Sequence, residues 1–112
     1  MTKFKDLPGG NAYEGAFIHR VIQPVENSFG ENPAKLVEAA KAIGGKQVDL
    51  GDVAVEIPAF EGVPIVYILW GACEFPASAT VLFDESASGF LPTEDLAVLA
   101  ELTTYRLTNI SN

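Results

Sequence analysis

Residues Ile65–Asp95 read IVYILWGACEFPASATVLFDESASGFLPTED. Side chains of a strand alternate between two faces. Ile65, Tyr67 and Leu69 take one face; Val66, Ile68 and Trp70 take the other. A strand with no polar face is usually central and covered on both sides. Ser78–Phe83 predicts a second strand, and the short loop between them suits an antiparallel hairpin. That loop follows Trp70 and carries the chain's one cysteine, Cys73, with Glu74, Phe75 and Pro76. Beyond the second strand come Asp84 and a Ser/Gly loop. Thr93 then reads as the cap of a helix with Glu94 and Asp95 in its first turn, where carboxylates favour the helix dipole.

Working upstream, Val53, Val55 and Ile57 alternate with Ala54 and Glu56, the mark of a half-buried strand. Gln47–Leu50 forms its expected partner across a Gly51-Asp52 turn, and Pro58–Pro64 reads as a connection. Before the strands lie helices. Asn11 is placed to cap the first; Phe17, Val21, Val25 and Phe29 recur every fourth residue, widened by Ile18 and Ile22. Pro24 interrupts this pattern, so a kink near Gln23 or two short helices is expected, with Gly30 as the stop. Asn32-Pro33 reads as a cap followed by proline at the first helical position. Leu36, Ala40 and Ile43 form the buried side of that helix, and Gly44-Gly45 ends it. In the final helix Leu96, Leu99, Ala100, Thr103 and Leu107 give the apolar face, which Val98 and Leu102 broaden. Arg106 falls in its expected last turn, and Thr108–Asn112 is expected to fray. Helices, then strands, then a helix is the α+β order. The expectation is one domain over residues 1–112, with N-terminal helices, a mainly antiparallel sheet of three to four strands and a C-terminal helix.

The 112 residues fit one domain, and a chain this long buries roughly 65% of its unfolded surface. Hydrophobic residues make up 48% and charged residues 20%, an ordinary globular balance. One cysteine excludes an internal disulfide and an all-cysteine iron–sulfur site within the chain. No signal-peptide pattern opens the sequence, and Ile65–Trp70 is far shorter than the ~20 residues a membrane helix needs. Cytoplasmic localisation is the default. Net charge is −8, and no Lys, Arg or His stands between Gln47 and Tyr105. Such a surface repels phosphate, which argues against nucleic acid and anionic membranes as partners. Its plain meaning is a solvated acidic face; its sharper meaning is a cation site or a basic partner.

Three constellations bear on chemistry. Cys73 lacks a neighbouring base or cation in sequence, and a reactive thiolate needs one. The sole histidine, His19, belongs to the polar side of the first helix. The acids Glu74, Asp84, Glu85, Glu94 and Asp95 offer hard oxygen ligands if they converge; turn and helix-start chemistry explains them equally. Trp70 and Phe75 stand at a strand end and in a loop, where aromatics serve pockets and interfaces. Tyr67, Phe60 and Phe90 fit core filling. No phosphate loop, dinucleotide fingerprint, nucleophile elbow or zinc spacing occurs, so no metal site is assigned and the cofactor is unknown.

Gly51-Asp52, Val63-Pro64, Leu69-Trp70, Glu74-Phe75-Pro76-Ala77-Ser78, Leu82-Phe83-Asp84 and Leu91-Pro92-Thr93-Glu94 form a recurring set. Phe4-x-x-Leu7-Pro8-Gly9-Gly10 and Phe29-Gly30 join it. In these residues the chain resembles an uncharacterised prokaryotic domain-of-unknown-function family common in anaerobic bacteria and archaea. The resemblance covers most of the chain and implies no catalytic residue. Some longer relatives carry a cysteine-rich segment that suggests an iron–sulfur cluster; with Cys73 alone, that role does not transfer.

The leading expectation is a module that binds a small molecule or a protein partner without catalysis of its own. Its candidate surface is Trp70, Cys73, Glu74 and Phe75, with Asp84. The alternatives are an enzyme using the Glu74, Asp84 and Glu94 carboxylates, with or without a divalent cation, and a structural subunit whose two-faced strand is covered in a homodimer.

Overall fold

The structure is a computed structural model, and it describes residues 1–60, 63–73 and 75–110. A two-residue strand β1 (Thr2–Lys3) and a short 3-10 turn lead into helix α1 (Gly10–Phe17). A π-helical turn over Ile18–Ile22 joins it to α2 (Gln23–Phe29), and α3 (Ala34–Ala42) follows. Strands β2 (Lys46–Val48), β3 (Val53–Phe60), β4 (Val63–Trp70) and β5 (Ser78–Phe83) come next. A 3-10 turn (Glu85–Gly89) then leads to helix α4 (Thr93–Ile110).

The fold is α+β, with every strand pair antiparallel in the order β1-β5-β4-β3-β2. The five strands correct the expectation of three to four. The extra one, β1, pairs Thr2 with Phe83 and Lys3 with Leu82. Two residues are too few to carry a period, so only the pairing reveals it. β2 begins one residue before the expected Gln47–Leu50 and ends two residues short of Leu50, with Lys46 opposite Glu56 and Val48 opposite Ala54. Pro58 and Pro64 were expected in a connection, yet they lie opposite each other within the β3–β4 ladder. Proline is tolerated there because β2 does not extend that far, leaving the Pro58 side of β3 as an edge.

The side chains of β4 part as their alternation predicts. Ile65, Tyr67 and Leu69 join Val55, Ile57, Val81 and Phe83 in the main core, under Val21, Val25, Phe29, Leu36, Leu96 and Leu107 from the helices. Phe4 and Phe17 stack there with ring centroids 4.1 Å apart. The Tyr67 hydroxyl lies 2.9 Å from the Thr104 hydroxyl and donates to the Ala100 carbonyl at 3.2 Å, fixing α4 to the sheet. Val66 and Ile68 occupy the opposite face with Ala54, Val48 and Leu82, a small cluster without a helix residue.

Helix ends depart from the expected caps. Asn11 falls inside α1, Asn32 makes no side-chain cap, and Thr93 donates its hydroxyl to the Pro8 carbonyl at 2.5 Å. The Pro24 irregularity is the π turn, in which the Gln23 amide reaches back to Ile18; proline removes the next donor, and the wider turn absorbs the mismatch. Gly44, at φ 86, ends α3 in the left-handed cap conformation, with the Gly45 amide bonded to the Ala40 carbonyl. α4 continues through Ile110, so Arg106 stands a turn inside its end and Thr108–Ile110 remains helical.

Both rims of the sheet are short. β1 covers only the Leu82–Phe83 end of β5, and nearer the other end the Ala79 amide donates to Glu26 Oε2 at 3.0 Å.

Candidate functional site

The β4–β5 ladder closes with Trp70 opposite Ser78, and the chain crosses between them through Gly71–Ala77. Backbone contacts seat this loop. The Ala72 amide donates to the Gly30 carbonyl at 3.1 Å, and the Cys73 amide to the Phe75 carbonyl at 3.1 Å. From the β2–β3 turn, Asp52 Oδ2 accepts the Gly71 amide at 2.9 Å. Gly30 lies so close to Ala77 that a Cβ on it would meet the Ala77 Cβ at 2.6 Å. Gly30 therefore serves close approach as well as ending α2. Gly51, at φ 55, brings its turn against Ile68 and the Trp70 indole; a Cβ there would meet Ile68 Cγ2 at 2.6 Å.

The loop's side chains are left outside. Phe75 is 78% exposed and Trp70 40%. With Gly71, Cys73, Pro76 and Ser78 they line an open depression of about 350 Å³. A second hollow of about 280 Å³ is formed by Gln47, Val48, Asp49, Leu50 and Asp52. Asp52 ties this acidic hollow to the loop. The Asp52 bond to Gly71 crosses 19 residues of chain, so the local pattern at Gly51-Asp52 shows a turn and nothing of this contact.

Residues 1–106 match the family model described as Domain of unknown function (DUF3786). The chain belongs to this family. No curated protein and no solved structure matches it.

The remaining sequence-selected residues of this family member are dispersed. Trp70, Cys73 and Phe75 share the depression, while Glu74 lies outside the described residues. Asp84 stands past the opposite end of β5, a strand of roughly 20 Å at about 3.4 Å per residue. There Asp84 Oδ1 accepts the Ser86 hydroxyl at 2.6 Å and the Ser86 amide at 2.9 Å, capping the 3-10 turn. These two bonds, the hydroxyl's first, hold the Asp84 carboxyl below its ordinary range. Glu94 borders a groove between α1 and α4 with Tyr13 and Arg20. His19 Nδ1 lies 3.2 Å from Gln23 Oε1. Cys73 is an exposed free thiol, and among the described residues no three His, Cys, Asp or Glu side chains gather as a metal site. No helix of the described residues is long and apolar enough to cross a membrane.

Proposed function

We propose that this domain is a partner-binding module whose contact surface is the β4–β5 loop, with Trp70 and Phe75 as anchors. The observation that carries the reading is two exposed aromatics, Trp70 at the end of β4 and Phe75 on the loop that follows, a loop seated by its backbone. Aromatic anchors supply a large share of interface energy. Burying one side chain of this size stabilises a complex by about 1.5–3 kcal/mol, and a loop already seated loses less entropy on docking. The depression is open, whereas small-molecule sites enclose most of their ligand. A protein surface therefore suits it better than a metabolite. Asp49 and Asp52 beside it favour a partner that carries Lys or Arg around an apolar knob.

Replacing Phe75 with a photo-crosslinking phenylalanine analogue in the host cell tests the reading. A discrete protein adduct is expected, lost on Trp70→Ala and absent from a probe at Phe90, exposed beyond the far end of β5. The same pattern of adducts from both positions would refute it.

A further inference from the structure

α4 presents two faces. Leu96, Ala100, Thr103, Thr104 and Leu107 are buried against the core. Val98 and Leu102, which the sequence pattern assigned to the same apolar face, point outward and are 52% and 58% exposed; Tyr105 is 67% exposed. They are spaced four and three residues apart, so they form one stripe along the helix. Tyr13 of α1, also exposed, borders the adjoining groove of about 220 Å³ with Arg20, Glu94 and Glu101.

We propose that this stripe is a self-association surface, on which a second copy of the chain packs its own α4 antiparallel about a two-fold axis. The charges beside the stripe choose both occupant and direction. Asp95 and Arg106 are exposed, and among the described residues neither forms an ion pair within the chain. Eleven residues at 3.6 per turn bring them almost to the same side of the helix, so they share one edge of the stripe. A two-fold axis sets each edge against the same edge of the copy, reversed in direction. When Val98 faces Leu102 of the partner subunit, Asp95 comes within one residue's rise of Arg106 of the partner subunit. The pair forms twice, and one register satisfies the apolar and the charged contacts together. A parallel pairing would instead set this edge against the other edge of the copy, bringing Asp95 beside Glu94 of the partner subunit. The other edge carries Glu94 and Glu101, and Arg20 in the adjoining groove offsets their repulsion.

The outer sheet face competes poorly for this role. Ala54, Val66 and Ile68 are already 7% exposed or less, so covering them removes little further apolar surface from water. The sequence-based reason for a dimer, cover for the second face of β4, therefore carries less weight than the unforeseen stripe on α4.

Sedimentation velocity over a concentration series tests the proposal. The native chain is expected to dimerise, and Leu102→Asp to dissociate it. Asp95→Arg and Arg106→Asp, each alone, are expected to weaken association by about tenfold or more, through a lost pair and a new repulsion. Combining the two in one chain is expected to restore it. All three side chains are exposed, and thermal melts check that each variant folds. A strict monomer at the highest concentration overturns the proposal, as does a dimer indifferent to Leu102→Asp. Failure of the double variant to recover rejects the antiparallel register. Trp70→Ala, which tests the loop, is expected to leave the dimer unchanged, so the two surfaces succeed or fail separately.

Discussion

Leu69 and Ile68 are adjacent on the same strand, both aliphatic and both largely buried, yet they are buried by different means. Leu69 is closed in by helices packed across the sheet. Ile68 is covered within its own layer by Ala54, Val66 and the Gly51 turn, with no helix in its cluster. Burial alone thus hides a difference in kind. A side chain locked between two layers leaves a cavity when truncated, because both walls are held elsewhere. Beneath one turn, a side chain can be replaced by collapse of that turn or by water.

The sharpest way to break this comparison is to truncate both. Leu69→Ala is expected to cost about 4 kcal/mol and Ile68→Ala about 2 kcal/mol in urea denaturation. Equal losses would show that the outer cluster is as tightly held as the core. Tyr67→Phe refines the inner side. It is expected to cost about 1 kcal/mol near neutral pH, the worth of the hydroxyl's bonds to Thr104 and Ala100. Its pH dependence carries a definite sign. Burial, only partly offset by the Thr104 bond, raises the Tyr67 pKa well above its ordinary 10.0. The unfolded phenol ionises first, so the native chain is stable below 10.0 and loses stability as the pH rises past it. Tyr67→Phe lacks that loss, and the gap between the two proteins is expected to narrow at alkaline pH. The smallest effect lies outside both faces, at Asp84. Its lowered pKa means that its stabilising contribution is present above the ordinary 3.8 and fades as the pH falls through the depressed value. Thermal melts should show Asp84→Ala slightly less stable than the native chain at neutral pH and converging with it in strong acid.

Features legible in the sequence were those set by a repeating period. The alternation in β4 gave its two faces, and the stripe Phe17–Phe29 gave the helices around Pro24. Caps failed where a long-range partner competed: nothing near Thr93 in sequence announces that its hydroxyl bonds to Pro8. Val98 and Leu102 were assigned inward because apolar character was equated with the core. The tertiary arrangement decided otherwise, burying Thr104 beside the expected Thr103, with the Thr104 hydroxyl next to that of Tyr67. At the candidate site, Trp70, Cys73 and Phe75 were found together because one short loop carries them. Asp84 was associated with them by proximity in sequence, across a strand that carries it to the far end of the sheet. Asp52, which holds the loop, was out of reach because only the fold brings it there.

The carboxylate of Glu26 at the Ala79 amide has a consequence for the chain in a crowded cell. An open strand rim invites another polypeptide to add on, and successive additions grow a fibril. Here one rim has a donor already occupied by an acid from α2. The opposite rim offers three residues beginning with Lys46, followed on β3 by Pro58, which has no hydrogen to give. A sheet with so apolar a centre is thereby guarded against templated growth, by side chains that add little to its core.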